Sequence, residues 1–546
     1  SGGNYNTVVG DEAGTAITTG DFNVAIGFEA LASEDTAGRN TAVGYRSLKT
    51  NNGGDNNTAV GENSGTAVTT GHNNTLIGQD AGEALTDADY NVALGSDALD
   101  ADTLGSKSTA IGSSALGTQN FTTATDTYNT AVGYDAGAAV TTGTNNTLIG
   151  SIAGDALTTG ERNVAVGYNA LSDDTKGQRN VAIGDSALGD QNFTTATNSY
   201  NVAMGYFAGG AVTTGIYNTL IGALAGDALT DADYNVAIGT DALGADTLGS
   251  RSVAIGHAVL QTQNFTTATD AYNTAVGFSA GTTLTTGTNN TLIGGLAGDA
   301  ITTGSDNVAL GYNSLSAGVA SFYNTAIGKD ALAADTTGRH SVAIGRDALT
   351  AQNNTGSDDM YNVAVGSSAG AAVTTGTNNT LIGGNAGIAI TTGTRNTAIG
   401  FEALKTEDGH GRNVAIGYHA LEDLNAGANA LNVGIGYNGG ANLTTGIRNT
   451  LIGGSAGVSL TDADDNVAVG RQTLGTDTKG SKSVAIGNDA LYSQNFTTST
   501  DTYNTAVGYA AGTAVTTGLQ NTLIGGLAGD ALTDADDNVA IGVVAL

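Results

Sequence analysis

Three residue patterns in this chain have the types and spacing to do chemistry. The first is a pair of carboxylates two residues apart on a turn: Asp87 and Asp89, then Asp231 and Asp233, Asp462 and Asp464, and Asp534 and Asp536. Such a pair resembles the opening of a calcium loop. No Gly-x5-Glu completion follows, so an EF-hand is excluded, and Ca2+ is the only cofactor the sequence suggests. The second pattern is Gly-x-Ser-x-Gly, at 277–281, 366–370 and 453–457. A hydrolase would need it as a strained strand-to-helix elbow with His and acid partners. His72, His257, His340, His410 and His419 are scattered along the chain, and nothing groups nucleophile, base and orienter. No catalytic residue is assigned, and the chain reads as non-enzymatic. The third pattern is Gln-Asn-Phe-Thr-Thr, which begins at Gln119, Gln191, Gln263 and Gln494 and in degenerate form at Gln352. Its Asn120 and Phe121, Asn192 and Phe193, Asn264 and Phe265, and Asn495 and Phe496 are candidate binding residues, because loops on a rigid scaffold commonly carry recognition. The competing reading is that each Phe plugs the core.

What must position these residues is a repeat. A unit of Asn-Thr/Val-Ala/Leu-Val/Ile-Gly returns 31 times, from Asn6 to Asn538. The step is 17 residues almost everywhere, 21 from Ser108, Asn180, Ser252, Ser341 and Ser483, and 19 from Asn413. A period this short predicts a parallel β-solenoid, an all-β β-roll in which each repeat is one coil. The whole of 1–546 reads as one continuous repeat region. The chain opens on Ser1 and stops soon after Gly542, which suggests a piece excised from a longer protein.

One coil, 129–145, shows the expected roles. Thr130 is β-branched, as Thr or Val is at the second position of every coil, and favours extended backbone. Gly133, like Gly150 and Gly167, holds the fifth position and predicts positive φ or close approach at a corner. Asn129, Asn146 and Asn163 open their coils and are expected to form an amide ladder at the roughly 4.8 Å spacing of stacked strands. An Ala-rich second strand and a turn should complete the coil. The third position (Ala or Leu) and the fourth (Val, Ile, Leu or Met) are both apolar, so the strand should be covered on both faces. The small third-position surface suits a second chain, which points to a homo-oligomer. Leu at the third position recurs at Leu76, Leu148, Leu220 and Leu292, every 72 residues, so four coils form a superrepeat.

Composition narrows the function. There are 83 Gly but no Pro, Cys or Trp, so disulfides and thiolate metal sites are excluded. The formal charge of −33, from 51 acidic and 18 basic residues, argues against nucleic acid and against an anionic membrane surface. No apolar run is long enough for a membrane-spanning helix, and direct membrane insertion is not expected. Paired threonines such as Thr141-Thr142 could face an ice lattice, although other turns interrupt the column. Aromatics after the corner Gly, among them Tyr134, Tyr168 and Tyr206, could stack on carbohydrate but fit packing at the bend better. Sequons such as Asn73-Asn74-Thr75 arise from the repeat and are expected inside.

Units such as Asn235-Val236-Ala237-Ile238-Gly239 and Ser252-Val253-Ala254-Ile255-Gly256 resemble the head repeats of trimeric autotransporter adhesins. Units such as Asn129-Thr130-Ala131-Val132-Gly133-Tyr134 and Asn504-Thr505-Ala506-Val507-Gly508-Tyr509 are similar to repeats in marine bacteriophage tail fibres and in surface proteins of aquatic bacteria. The resemblance spans the chain. It implies a left-handed parallel β-roll built from three chains, located outside the cell or on a virion. It implies a structural and adhesive fibre whose partner is a surface glycan or protein receptor.

Overall fold

The second to fourth residues of each coil form a strand because a β-branched residue, a small apolar residue and another branched residue stand between Asn and a corner Gly. Thr130–Val132 is one such strand. It pairs in parallel with the strand of the next coil, Thr130 opposite Thr147, Ala131 opposite Leu148 and Val132 opposite Ile149. The computed structural model describes residues 2–354, 356 and 358–546. They divide into two compact units, Ser1–Tyr272 and Asn273–Leu546. The first unit stacks fifteen three-residue strands, from Thr7–Val9 to Val253–Ile255. The second stacks sixteen, from Thr274–Val276 to Val539–Ile541. Each is an all-β parallel β-solenoid, and no described residue is helical. The expected fold class and coil number are both observed.

The two faces of the strand are reversed relative to the expected interface. The third residue points into the coil: Ala131, Leu148, Ala165 and their equivalents are buried, except Val8 in the first coil. The fourth residue faces outward, with Ile149 39% exposed. Alternation along a strand fixes that neighbours face opposite sides but not which side is inside. The Ala/Leu surface is therefore core and cannot be the chain–chain contact.

The rest of the coil is not a second strand. In coil 129–145, φ is positive at Gly133 (144°), Asp135 (53°), Gly137 (61°) and Asn145 (61°). Left-handed residues at the fifth, seventh, ninth and seventeenth positions curl the chain, and an extended Ala-rich segment is impossible between them. Hydrogen bonds still pass from coil to coil through this curl. Gly150 N donates to Val132 O at 2.8 Å, Ile152 N to Tyr134 O at 2.8 Å and Ala139 N to Asp155 O at 2.8 Å. A short second strand occurs only beside long coils, as where Gly105–Ser106 pairs with Thr125–Asp126.

Core volume explains the superrepeat. Leu148 fills the space beside the ninth-position glycines: a Cβ on Gly137 would lie 2.6 Å from Leu148 Cδ1, and one on Gly154 would lie 2.9 Å from Leu148 Cδ2. These coils carry an apolar twelfth residue, Val140 and Leu157, both fully buried. The next two coils carry Ala165 and Ala182 at the third position and Leu171 and Leu188 at the ninth, and a polar residue takes the twelfth: Asp174, then Gln191. Two ways of filling one cross-section alternate in pairs.

The corner glycine is the stricter of the two. A Cβ on Gly133 would meet Gly150 O at 2.3 Å, a backbone atom that cannot move aside, whereas on Gly137 it meets only a side-chain methyl. We expect Gly133→Ala to cost more than ~2 kcal/mol and Gly137→Ala about 1 kcal/mol. Thermal melts by circular dichroism should rank wild type above Gly137→Ala above Gly133→Ala; equal midpoints for the two variants would refute this account of the corner.

Candidate functional site

The first-position asparagines are staples between coils. Asn129 Oδ1 accepts from Asn146 N at 2.9 Å, and Asn146 Oδ1 from Asn163 N at 3.0 Å. The Nδ2 atoms of Asn129 and Asn146 donate to Gly143 O at 2.8 Å and Gly160 O at 2.9 Å in their own coils. The expected ladder therefore runs mainly from amide to backbone. Amide-to-amide contacts are a supplement, as between Asn74 Nδ2 and Asn57 Oδ1 at 3.1 Å. All of these asparagines are buried, so both amide ends must be satisfied inside.

The long coils enclose a buried polar network. Gln119 Nε2 donates to Asp102 Oδ2 at 2.5 Å and to Ser108 Oγ at 2.8 Å, while Gln119 Oε1 accepts from Asn129 Nδ2 at 2.8 Å. Asp102 Oδ1 accepts from Gly105 N and Phe121 N, each at 3.1 Å. The same Gln-to-Asp contact recurs at Gln191–Asp174 (2.6 Å), Gln263–Asp246 (2.5 Å), Gln352–Asp335 (2.8 Å) and Gln494–Asp477 (2.5 Å). Burial pushes the carboxyls of Asp102, Asp174 and Asp335 up, and the Gln and backbone donors oppose it. Ser replaces Asn in four of these five coils, and in coils such as that of Ser108 its hydroxyl meets the incoming Gln.

The insert loops divide between core and surface. Phe121 is 6% exposed, and Phe193, Phe265 and Phe496 are buried alike, so the rings plug the core. Asn120, Asn192, Asn264 and Asn495 stay exposed, each accepting from a Thr hydroxyl of the preceding coil at 3.1–3.2 Å. Only the Asn half of each candidate pair is on the surface.

The Asp-x-Asp turns also serve neighbouring coils. Asp87 Oδ1 accepts from Thr70 Oγ1 at 2.5 Å and Asp89 Oδ1 from His72 N at 2.7 Å. Asp231 and Asp233 do the same for Thr214 Oγ1 and Ile216 N, at 2.6 and 2.8 Å. Asp464 and Asp536 accept from Ile447 N and Leu519 N, at 2.8 and 2.7 Å. Asp462 lies 3.4 Å from Lys479 Nζ, and Asp534 Oδ1 accepts from Thr533 Oγ1 at 3.2 Å. None of these carboxylates converges with two further His or acidic ligands among the described residues. Two other groups do converge: Glu402, His419 and Glu422, and Glu407, Asp408 and His410. In the first, Lys405 Nζ already lies 2.8 Å from Glu402 Oε2 and 3.3 Å from Glu422 Oε1.

The remaining patterns fall into the register. Ser279, Ser368 and Ser455 of Gly-x-Ser-x-Gly occupy the seventh, left-handed position of a turn. Thr141 Oγ1 donates to Thr158 O at 3.1 Å and Thr158 Oγ1 to Thr175 O at 2.9 Å, so thirteenth-position threonines act as rungs. Aromatics after the corner Gly do not pack at the bend: Tyr134 is 60% exposed. Sequon residue Asn73 is also exposed, because it is a seventeenth residue and the buried ladder Asn is the next one.

A column missed at the sequence level runs along that seventeenth position. Tyr200, Tyr217 and Tyr234 stack at 5.2 and 5.0 Å, with Arg251 5.0 Å from the Tyr234 centroid. In the second unit Tyr323, His340 and Tyr361 stack at 4.9 and 5.2 Å. Each inner ring has a neighbour on both faces, which leaves edges and hydroxyls for a partner.

No protein-family model matches the chain, and no curated protein is similar to it.

Two predictions follow from the buried polar row. Asp102→Asn turns an acceptor into a donor facing Gln119 Nε2, and should cost about 1–3 kcal/mol, read as a lowered thermal midpoint; an unchanged midpoint would mean that the pair carries no stability. Glu34, which accepts from Ala37 N at 2.5 Å and Asn51 Nδ2 at 2.6 Å, has its carboxyl pushed up to about 7 by burial. A raised folded pKa favours folding below the ordinary carboxylate range, and that contribution is lost as pH rises through about 7. Glu34→Gln, always neutral, should flatten the decline of the melting midpoint between about pH 5 and 8; parallel profiles for the two proteins would contradict it.

Proposed function

We propose that this chain is a structural and adhesive segment of an extracellular surface fibre, assembled as a homotrimer. The observation that carries the reading is the outward apolar row in each unit. Leu94, Ile149 and Met204 in the first unit, and Leu310, Ile382 and Ile524 in the second, are exposed fourth-position side chains. Beside them the second-position Thr and Val residues are half-buried, or exposed as at Val308. A continuous apolar stripe on an otherwise acidic surface is characteristic of an interaction face. In-register chains of one sequence would match such stripes residue for residue. The resemblance to trimeric adhesin heads and to tail-fibre repeats supports three chains and an exterior location.

The rest of the surface fits attachment. Asn120, Asn192 and Asn264 recur at the superrepeat spacing in the first unit. Weak contacts to a surface glycan or protein receptor, repeated at a fixed interval, would gain strength by multivalency. Stiffness would come from inter-coil hydrogen bonds around the perimeter.

Light scattering after size exclusion should give three times the 53.8 kDa chain mass. Ile149→Lys combined with Met204→Lys, on exposed positions that the coil does not need, should reduce it to one chain. A wild-type mass of 53.8 kDa would overturn the trimer and leave the stripe for a different partner.

A further inference from the structure

The twelfth position of the coil is where polar groups are buried. In six coils it holds a carboxylate that meets an amide from the twelfth position of the next coil: Asp102, Asp174, Asp246, Asp335 and Asp477 face Gln, and Glu34 faces Asn51. Glu407 is the seventh such carboxylate. It is fully buried, and the residue that should supply the amide is Leu424. Oε1 accepts from His410 N at 3.0 Å, as Asp102 Oδ1 accepts from Gly105 N, but Oε2 has no hydrogen-bond partner. A buried carboxylate oxygen with nothing donating to it is costly.

A second anomaly lies in the same coil. The fifteenth position of the other 17-residue coils is Gly, Ala or Ser, as at Gly143, Ala88 and Ser321, because its carbonyl must approach the ladder Asn. Here it is His410. The His410 Nδ1 atom is buried, has no hydrogen-bond partner, and lies 3.7 Å from Glu407 Oε1. Asp408 is exposed beside them. One ligand atom from each of Glu407, Asp408 and His410 lies within 4.8 Å of the others. The coil that lacks an amide for its carboxylate is the coil that gains an imidazole.

We propose that Glu407, Asp408 and His410 bind a divalent transition-metal ion of the zinc class, which takes the place of the amide rung found in the equivalent coils. One imidazole nitrogen and two carboxylate oxygens form a borderline donor set suited to Zn2+ or Co2+ rather than Ca2+. Bonds near 2.1 Å would draw the three atoms to roughly 3.4 Å apart, within reach of side-chain rotation. Burial pushes the Glu407 carboxyl up. Exposed Asp408 marks the route of entry and leaves the fourth coordination position to water. The neighbouring Glu402, His419 and Glu422 are a weaker candidate, since Lys405 already supplies their cation.

The test is titration of the full chain, stripped with chelator, with Co2+ and Zn2+. We expect saturable binding of one Co2+ per chain with the visible d–d absorption of a four-coordinate site, displaced by Zn2+, and a melting midpoint raised by Zn2+. His410→Gly restores the residue used by most other coils and should fold as well as wild type while losing binding at least tenfold. Leu424→Gln restores the missing amide; it should raise the metal-free midpoint and weaken Zn2+. Absence of saturable binding by wild type would overturn the proposal. So would equal binding by His410→Gly, which would place the ion at Glu402, His419 and Glu422 instead.

Discussion

Everything in this molecule depends on one constraint: each residue sits directly over its own counterpart in the next coil. Thr130 meets Thr147, Ala131 meets Leu148 and Asn129 meets Asn146, at the spacing of hydrogen-bonded strands. A side chain is admitted to the interior only if it can tolerate that neighbour. Alanine can, by being small. Asparagine can, because its carbonyl takes the next coil's backbone N–H and its amide reaches across its own coil. A column of buried carboxylates could not, since like charges at this distance repel and neither would donate. Hence among the described residues buried acids do not occur in adjacent coils, and each of the six paired ones is followed by Asn or Gln.

The same constraint sets the four-coil period. Leu148 at the third position needs Gly137 and Gly154 at the ninth, and the volume left by Ala165 is taken by Leu171. With Leu at the ninth position, the twelfth is free to hold a compact polar pair instead of a branched aliphatic residue. The insertion then follows from the pair: Gln191 and Phe193 belong to one loop, Phe193 N donates to Asp174 Oδ1 at 3.2 Å, and the ring is buried. The loops that look like decoration in the sequence complete a polar network.

This explains what could and could not be read from the chain. The period, the strand and the corner glycine were legible, because Gly133 and its equivalents meet backbone and admit no substitute. The direction of the strand faces was not. Ala131 and Val132 are both apolar, and alternation along the strand does not say which of them goes inside. The curl was not legible either. Asp135 and Asn145 adopt positive φ without being glycine, stabilised by inter-coil bonds that no local pattern reveals. Asn120 and Phe121 were read as one binding pair, yet one is surface and the other core. The column of Tyr200, Tyr217 and Tyr234 went unseen because its members stand 17 residues apart and meet only in the stack.

A structure made in this way handles load and variation separately. Each coil bonds to its neighbours through the strand, the curl and the asparagine staple, so removing one rung leaves the rest of the perimeter intact. Variation is therefore tolerated where the stack does not need identity: in the 17-residue coils the seventeenth position ranges over Tyr, Phe, Arg, Asn, Asp, Lys, His and Gln, and the fourteenth over Thr, Asp, Gly, Leu, Lys and Ala. It is not tolerated at the fifth, where all coils agree. The one place where an interior rule is broken, Glu407 above Leu424, cannot be absorbed by the surface, because the orphaned oxygen is inside. A departure of that kind has to be compensated from within the same cross-section, and His410 is the only residue of that coil whose type departs from its column at the point where compensation is needed.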